Sequence, residues 1–416
     1  MKHDAQKILS GAIASVLPDR ATREALQTVS FGSGKRIVIA VGKAAWRMAS
    51  VAEQMLNDSI DRGIVITKYG YSGGVLPHFS VLEAGHPVPD KNGFAATEQA
   101  MQAVTGLNQE DTVLLLLSGG GSALFEKPLV PEEELIDLTT QLLRSGANIT
   151  EVNTIRKRLS AVKGGRFATL CAPAKIVTVA ISDVIGDAAD CIASGPAVLD
   201  RSTSAEAQLI AERYGLRLSD RARALLAVDP PKSLENAEIL ISGSVRQLCD
   251  AAARIAERLG YTPQILTTEL SCEAREAGAW LGRLAREQAA SDHPIALLAG
   301  GETVVHVTGD GLGGRNQEIA LAAAKEIAGC ENIVVFSFGS DGTDGPTDAA
   351  GGIVDGTTEQ ALFEKGITID DALRRNDAYH ALQAADALLF TGSTGTNVND
   401  LSVALIRPAS DRGKTE

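Results

Sequence analysis

The chain has 416 residues, of which 44% are hydrophobic and 22% are charged, and this composition excludes a disordered protein. Its formal net charge of -13 and its aromatic content of 4% make binding to nucleic acids or to anionic membranes unfavourable. The five cysteines are widely spaced and form no CxxC motif, which is typical of a reducing, cytoplasmic compartment. Residues 1–18 predict an amphipathic helix and not a signal peptide.

Strand and helix patterns alternate along the chain, and this order predicts an α/β fold with parallel sheets covered by helices. In the first half, the predicted strands are residues 36–41, 63–67, 80–84, 111–117 and 175–181. Residues 227–233 contain Asp-Pro-Pro and are the best candidate for a linker. In the second half, strands are predicted at residues 238–241, 264–266, 294–299 and 333–338, and helices at 245–259 and 272–290. We therefore expect two domains, residues 1–234 and 235–416, with an N-terminal helix that could pack on either.

Glycine-rich segments follow the predicted strands, at the edge where open parallel sheets bind their ligands. Residues Ser118, Gly119, Gly120, Gly121 and Ser122 follow the strongest predicted strand, and their backbone N–H groups could converge on an anion. A plain tight turn fits the same pattern, and the segment is not a P-loop because GxxxxGK[ST] is absent.

Clustered cations are informative in a chain this acidic. Lys43 follows the first strand at a helix start, where the helix dipole disfavours a cation, so we favour a contact with a phosphoryl group over a solvated lysine. Arg156 and Lys163 are predicted to share one helical face, with Asn153 at the beginning of the same stretch. This face predicts an anion-binding surface, and a solvated basic face is the alternative.

Two carboxylates follow the last predicted strand of the first half. Asp183 and Asp187 lie four residues apart, so either could bind Mg²⁺ or act as a general base. Aspartates that only form a turn or a cap are the competing interpretation.

The second half carries a parallel set of polar loops. Glu302 and Asp341 follow predicted strands and are secondary candidates for Mg²⁺. Arg315 and Asn316 open a helix after a run of glycines, which predicts a clamp on a phosphate or a carboxylate. Thr394 lies in a loop of glycines and hydroxyls before the last strand, and a rigid hydrogen-bonded turn is the alternative there.

Taken together, these motifs resemble the class II glycerate 2-kinase family, whose C-terminal part is named the MOFRL domain. The matching segments are Val41-Gly42-Lys43-Ala44-Ala45, Gly85-His86-Pro87, residues 118–122, 153–160, 163–166, 182–186, 194–196, 300–303, 313–318, 340–349 and 391–400. They occur in family order over nearly the whole chain. Two positions depart from the family pattern, because Arg158 stands where His is expected and Ser393 where Pro is expected.

The resemblance implies a Rossmann-like N-terminal domain, a second α/β domain with a mixed sheet, and an active site in the cleft between them. It implies transfer of the ATP γ-phosphoryl group to the 2-hydroxyl of D-glycerate, with Mg²⁺ as cofactor and 2-phosphoglycerate as product. We assign Lys43 and Arg315 to the transferring phosphate, Asp183 to the base and Asp187 to the metal. Which loops take ATP and which take glycerate stays open, and so does assembly into a homo-oligomer.

Two other functions compete with the kinase. Some relatives in tartrate-degradation clusters are labelled hydroxypyruvate reductases, but the chain shows no dinucleotide site with an acidic ribose partner and a proton donor. A non-catalytic sugar-acid sensor would also use loops of glycine and serine. The chain carries no helix-turn-helix or basic DNA-binding face that a sensor of this kind would need.

Overall fold

The computed structural model describes residues 1–408, which form two compact units. The first unit is Ala21–Ser242, and the second unit combines Met1–Arg20 with the chain from Gly243 onward. Each unit has its own sheet and its own apolar core. None of the helices within the described residues is long and apolar enough to cross a bilayer.

The sheet of the first unit has six strands in the order β3-β2-β1-β4-β5-β6. Its strands are β1 (Arg36–Val41), β2 (Arg62–Lys68), β3 (Phe79–Ala84), β4 (Thr112–Leu117), β5 (Lys175–Ile181) and β6 (Ala237–Gly243). Neighbouring strands from β3 to β5 are parallel, so the carboxyl ends of β1, β4 and β5 meet at one edge. Strand β4 is buried along its whole length, as its uninterrupted apolar run predicts.

The sheet of the second unit also has six strands, in the order β11-β10-β9-β12-β8-β7. They are β7 (Thr262–Leu270), β8 (Ile295–Gly301), β9 (Ile333–Gly339), β10 (Gly351–Asp355), β11 (Leu388–Leu389) and β12 (Asp400–Ile406). Strands β7 and β8 are parallel, whereas β12 runs antiparallel to both β8 and β9. A mixed sheet is therefore confirmed, and the beginning of β12 lies beside the ends of β8 and β9.

Sixteen α-helices lie within the described residues. They are α1 (Lys2–Ser15), α2 (Pro18–Leu26), α3 (Ala45–Leu56), α4 (Lys91–Ala103), α5 (Gly121–Leu124), α6 (Glu132–Arg144), α7 (Ile149–Arg158), α8 (Arg166–Cys171), α9 (Ser204–Arg213), α10 (Asp220–Leu226), α11 (Val245–Arg258), α12 (Ala274–Glu287), α13 (Arg315–Glu326), α14 (Thr358–Glu364), α15 (Ile369–Arg374) and α16 (Ala378–Ala384). Short 3₁₀ turns occur at Asn57–Ser59, Ile185–Asp187 and Ile192–Ser194.

The compact units differ from the predicted domain ranges at both ends. Strand β6 was grouped with the second half by sequence, yet its Ile239 and Ile241 pack against the core of the first unit. Helix α1 belongs to the second unit, because it buries Ile8 and Leu9 and packs along α11. Asp4 also accepts a hydrogen bond of 2.8 Å from Tyr261 Oη. Neither feature has a local signal in the sequence.

Candidate active site

The turns that follow β1 and β4 are joined backbone to backbone. Lys43 N donates to Gly119 O at 2.9 Å, and Ala44 N donates to Ser118 Oγ at 3.0 Å. Gly42 has a φ of +124°, and a Cβ built there would lie 2.3 Å from Ser118 Oγ. Only glycine fits at position 42, because the two turns approach each other so closely there. Residues 42–44 and 118–120 therefore form one rigid surface at the carboxyl edge of the sheet, which we call the floor of the site.

Three side chains from other segments stand around this floor. A Cβ built at Gly119 would lie 2.7 Å from Asp183 Oδ2, so this carboxylate is against the glycine turn. A Cβ at Gly120 would lie 3.2 Å from His86 Nε2 and 3.4 Å from Lys43 Cγ. Lys43 itself is exposed. The structure therefore brings a lysine, an aspartate and a histidine together over one glycine-rich turn.

His86 was not among the predicted site residues, because lone histidines carry little sequence signal. Its segment, Gly85-His86-Pro87, was recognised only as part of the family pattern. Burial lowers the pKa of His86, and the nearby charges of Lys43 and Lys68 lower it further. The lowered pKa favours the neutral imidazole at neutral pH, so His86 stands beside the glycine-rich turn as a polar group without charge.

A buried cluster of charges lies behind the turn. Lys163 Nζ is 2.7 Å from Glu126 Oε2, both side chains are fully buried, and Nζ also donates to Phe125 O at 2.9 Å. Burial lowers the pKa of Lys163 to about 8, while Glu126 opposes the shift. Lys163 was predicted to bind substrate or nucleotide, but its ammonium group is occupied by Glu126.

The prediction that Arg156 and Lys163 share one helical face is wrong. Helix α7 ends at Arg158, and Gly164 and Gly165 adopt φ values of +60° and +81° that a helix does not allow. Arg156 Nη2 donates to Ser122 O at 3.1 Å, and burial lowers the pKa of Arg156. Arg156 therefore remains as the cation beside the glycine-rich turn.

Arg158, one of the two departures from the family pattern, lies inside the first unit. Its side chain is 1% exposed and its Nη1 donates to Asp200 Oδ2 at 2.9 Å. Nη2 donates to Ser202 O at 3.0 Å. Arg158 therefore stabilises the loop after β5.

The side chains of the first unit enclose a cavity of about 290 Å³ at the end of β4. Its lining includes His86, Gly119, Ser122, Arg156 and Asp183. Asn153 lies just behind it, where its Oδ1 accepts from Ser194 Oγ at 3.2 Å. The predicted metal ligand Asp187 belongs to a 3₁₀ turn, and its side chain lies outside the described part of the structure.

In the second unit, Arg315 lies between two carboxylates. Its Nε is 2.5 Å from Asp400 Oδ2, and its Nη1 is 2.8 Å from Glu302 Oε1. Burial lowers the pKa of Arg315, but Asp400 and Glu302 outweigh it and raise the pKa above its ordinary value. Arg315, the predicted phosphate clamp, is thus paired with Glu302, one of the predicted metal ligands.

Asp400 closes the recognised segment 391–400, but no role was assigned to it from the sequence. It is the first residue of β12 and stands opposite Gly301 of β8 and Gly339 of β9. The antiparallel direction of β12 brings it to this edge, and strand direction has no signal in the sequence. Burial raises the pKa of Asp400 to about 6, while Arg315 opposes the rise.

Asn316 and the adjacent turn of α13 are held by Asp344. Asp344 Oδ1 accepts from Asn316 N at 3.1 Å, and Oδ2 accepts from Gln317 N at 2.8 Å. Burial raises the pKa of Asp344 to about 7, although these N–H donors oppose the rise. Asn316 is 1% exposed and its Oδ1 accepts from Ser337 Oγ at 2.6 Å. This geometry favours a positioning role over direct contact with a ligand.

Thr394 and Asp341 hold two loops of the second unit together. Thr394 Oγ1 donates to Ser340 O at 2.7 Å, and Thr394 N donates to Asp341 O at 3.2 Å. Asp341 Oδ1 accepts from Thr343 N at 3.0 Å. Both residues lie near the beginning of β12, and the rigid-turn interpretation of the Thr394 loop agrees with these bonds.

The described side chains contain no group of three His, Cys, Asp or Glu residues that is already arranged around a metal ion. Mg²⁺ is commonly held by one or two carboxylates together with substrate phosphates and waters. Single carboxylates such as Asp183 and Asp341 therefore fit an ion that arrives with a nucleotide. Glu302 fits less well, because Arg315 already occupies it.

The fold and the site define an α/β protein whose glycine-rich loops, at the carboxyl ends of strands, carry cations and carboxylates side by side, an arrangement suited to a small anionic ligand. Family models match residues 4–227 as a domain of unknown function, DUF4147, and residues 295–400 as the MOFRL family. The relatives described next show that the chain belongs to the glycerate 2-kinase family.

A D-glycerate 2-kinase of Thermotoga maritima is 50% identical over 412 residues, which cover 98% of each chain. A glycerate 2-kinase of Pyrococcus horikoshii is 44% identical over 92% of this chain and 89% of its own length. A protein of Agrobacterium vitis with the provisional name hydroxypyruvate reductase is 39% identical over 96% and 93%. The crystal structure of glycerate kinase from Thermotoga maritima superposes with a TM-score of 0.94, covering 97% of this chain and 99% of that one.

Proposed function

We propose that this protein is an ATP-dependent kinase that phosphorylates D-glycerate on its 2-hydroxyl and releases 2-phosphoglycerate. The observation that carries the proposal is the joined turn of the first unit, where Lys43 and Asp183 stand over Gly119 and Gly120. A phosphoryl transfer needs a positioned cation, a group that takes the hydroxyl proton and little other chemistry. The names of the relatives supply the substrate.

In this proposal Asp183 accepts the proton of the 2-hydroxyl as that oxygen attacks the γ-phosphorus. Asp183 follows Ser182 directly after the buried strand β5, and this supports the base role, because the strand fixes the position of the Asp183 backbone. Lys43 and Arg315 neutralise charge on the transferring group. Mg²⁺ would supply further charge neutralisation when it is bound with ATP, and Asp187 and Asp341 are the carboxylates we propose for it.

A cytoplasmic location remains a prediction of the cysteine pattern, and a homo-oligomer and a shared cleft between the domains also remain predictions. Hydroxypyruvate reduction is the competing function, since the relative from Agrobacterium vitis carries that name.

One experiment separates the two functions. Purified protein receives ATP, Mg²⁺ and D-glycerate in one reaction, and NADH with hydroxypyruvate in another. The kinase predicts ADP release that requires all three components of the first mixture. NADH oxidation faster than ADP release would overturn it.

A further inference from the structure

The half-buried Ser122 and the buried Ser194 and Asn153 form one directed chain of hydrogen bonds at the glycine-rich turn. Ser194 Oγ donates to Asn153 Oδ1 at 3.2 Å, and Ser122 Oγ lies 3.0 Å from Ser194 Oγ. A hydroxyl has one hydrogen to donate. Since Ser194 gives its hydrogen to Asn153, the bond between the two serines must be donated by Ser122.

The other end of this chain is anchored at the amide of Asn153. Asn153 is 4% exposed, and its side chain also hydrogen-bonds Cys191. The amide oxygen of Asn153 can only accept, and it lies 3.2 Å from Ser194 Oγ, so Ser194 is the donor in this bond. The direction of every bond in the chain follows from this assignment.

The backbone holds Ser194 in place at an energetic cost. Ala193, Ser194 and Gly195 have φ values of 50°, 60° and 65°, so three successive residues are left-handed and two of them carry a Cβ. Such conformations are unfavourable for a residue other than glycine, and they cluster at functional sites. Ser194 is also completely buried. Its hydroxyl is therefore a fixed acceptor for Ser122.

This arrangement sets what Ser122 can offer to a ligand. Its hydrogen is directed to Ser194, so towards the cavity its Oγ presents only a lone pair. Its backbone carbonyl is bound by Arg156 Nη2, which keeps a cation beside that lone pair. Asp183 Oδ2 lies against Gly119 and provides a second hydrogen-bond acceptor beside the glycine-rich turn.

A small acid with two neighbouring hydroxyls matches this pattern. Its carboxylate would pair with Arg156, one hydroxyl would donate to Asp183 and the other would donate to Ser122. The cavity of about 290 Å³ suits a three-carbon acid and is below the range of about 300–1,000 Å³ typical of larger ligands. We propose that the first unit holds the acid substrate, and that Ser122, oriented by Ser194 and Asn153, selects for its terminal 3-hydroxyl.

This inference rests on the proposed function for the identity of the acid, and D-lactate provides the test because it is D-glycerate without the 3-hydroxyl. The kcat/KM of both acids is measured with ATP and Mg²⁺ for wild type and Ser122→Ala. We expect the ratio of glycerate to lactate to fall on the order of tenfold or more in the variant, because one hydrogen bond specific to glycerate is lost. An unchanged ratio would overturn the proposal.

Two further variants distinguish orientation from general damage. In Ser194→Ala the hydroxyl hydrogen of Ser122 loses its acceptor and can turn towards the cavity. The ratio of kcat/KM for glycerate to kcat/KM for lactate should therefore fall, mainly because KM for glycerate rises, while the kinetics with lactate change little. Ser33→Ala removes an exposed serine of the same unit, whose Oγ donates to Glu110, and should leave the ratio as in wild type. If Ser122→Ala does not fold, Ser122→Cys replaces it, since the thiol is a weaker acceptor of similar size.

Calorimetric titration of each acid without ATP keeps this inference separate from the proposed function. Tighter binding of D-glycerate than of D-lactate by wild type, lost in Ser122→Ala, supports the acid site even if no phosphorylated product forms. Equal affinity of wild type for the two acids contradicts the role of Ser122, even if the kinase reaction is observed.

Discussion

Arg315 and Asp400 form a two-point ion pair although 85 residues separate them in sequence. Nε lies 2.5 Å from Oδ2 and Nη2 lies 3.2 Å from Oδ1. Asp400 is almost fully buried at the beginning of β12, so it fixes where the guanidinium points. The position of a predicted phosphate contact is thus set by a residue that the sequence did not single out.

Removing this partner should affect turnover. Asp400→Asn leaves Arg315 paired with Glu302 as its charged partner among the residues that the structure describes. We expect kcat to fall on the order of tenfold to a hundredfold, because a misplaced cation stabilises the transferring phosphoryl group poorly. Steady-state kinetics measures the loss, and urea unfolding reports any change in stability. Arg283→Met, which breaks the exposed pair with Glu326, is the matched control and should keep wild-type turnover. Full activity of Asp400→Asn would show that the position of Arg315 does not matter.

Lys43 should be required for turnover and dispensable for folding. Its side chain is exposed beside Gly120, so Lys43→Ala removes a cation without opening the core. We expect kcat to fall on the order of a hundredfold or more with an unchanged melting temperature. Lys175→Ala, which loses an exposed pair with Glu238 in the same unit, serves as control. If the two variants are equally active, Lys43 has no role in the reaction.

The two aspartates after β5 should respond differently to Mg²⁺. Asp183→Asn is nearly isosteric and should abolish turnover at every Mg²⁺ concentration, because an amide cannot accept the proton. Asp187→Asn should raise the Mg²⁺ concentration required and recover partly when Mg²⁺ is in excess. A titration of activity against Mg²⁺ decides the matter. Rescue of Asp183→Asn by Mg²⁺ would reverse the two roles.

Asp344 should make the stability of the protein depend on pH. Burial raises its pKa to about 7, so the folded protein keeps a proton that the unfolded chain loses above about pH 4. The stabilisation is complete below that lower value and is lost as the pH rises towards 7, with a slope of at most about 1.4 kcal/mol per pH unit. Asp344→Asn cannot ionise and should flatten this fall in the free energy of unfolding.

Urea unfolding between about pH 5 and pH 7 measures the slope, within the window set by the two pKa values. Part of the slope should remain in Asp344→Asn, because burial also raises the pKa of Asp400 to about 6. Asp370→Asn changes an exposed carboxylate that is paired with Lys325 and should retain the wild-type slope. An equally steep fall in Asp344→Asn would mean that Asp344 is ionised in the folded protein throughout.

The strands and the glycine-rich segments that follow them were predictable because their signals are local, whereas the joining of the turns after β1 and β4 was not predicted. Strand β4 has an uninterrupted apolar run and is followed at once by serine and glycine. The burial of this strand and the position of the ligand-binding edge at its carboxyl end could therefore both be predicted. The family membership and the mixed sheet were also predicted from ordered motifs, and both are confirmed. These features require no knowledge of which distant segments meet.

The features that were missed depend on long-range packing. Glu126 lies beside Lys127 in sequence and resembles a surface charge, but it is fully buried against Lys163. Lys163 was predicted on a helix that in fact ends at Arg158, and Ser160 instead forms an isolated β-bridge with the distant Pro128. Asp400 reaches the edge of its sheet only because β12 is antiparallel to its neighbours. Periodicity cannot report any of these contacts.

The phosphorus NMR spectrum of the product formed from ATP and D-glycerate tests the kinase assignment most directly. Phosphate on the 2-hydroxyl is coupled to the single hydrogen of carbon 2, so we expect a new signal that is split into a doublet. Phosphate on the 3-hydroxyl would be coupled to two hydrogens and give a triplet. A triplet, or the absence of any new phosphate ester when D-glycerate and Mg²⁺ are present, would contradict the central claim that this protein is a glycerate 2-kinase.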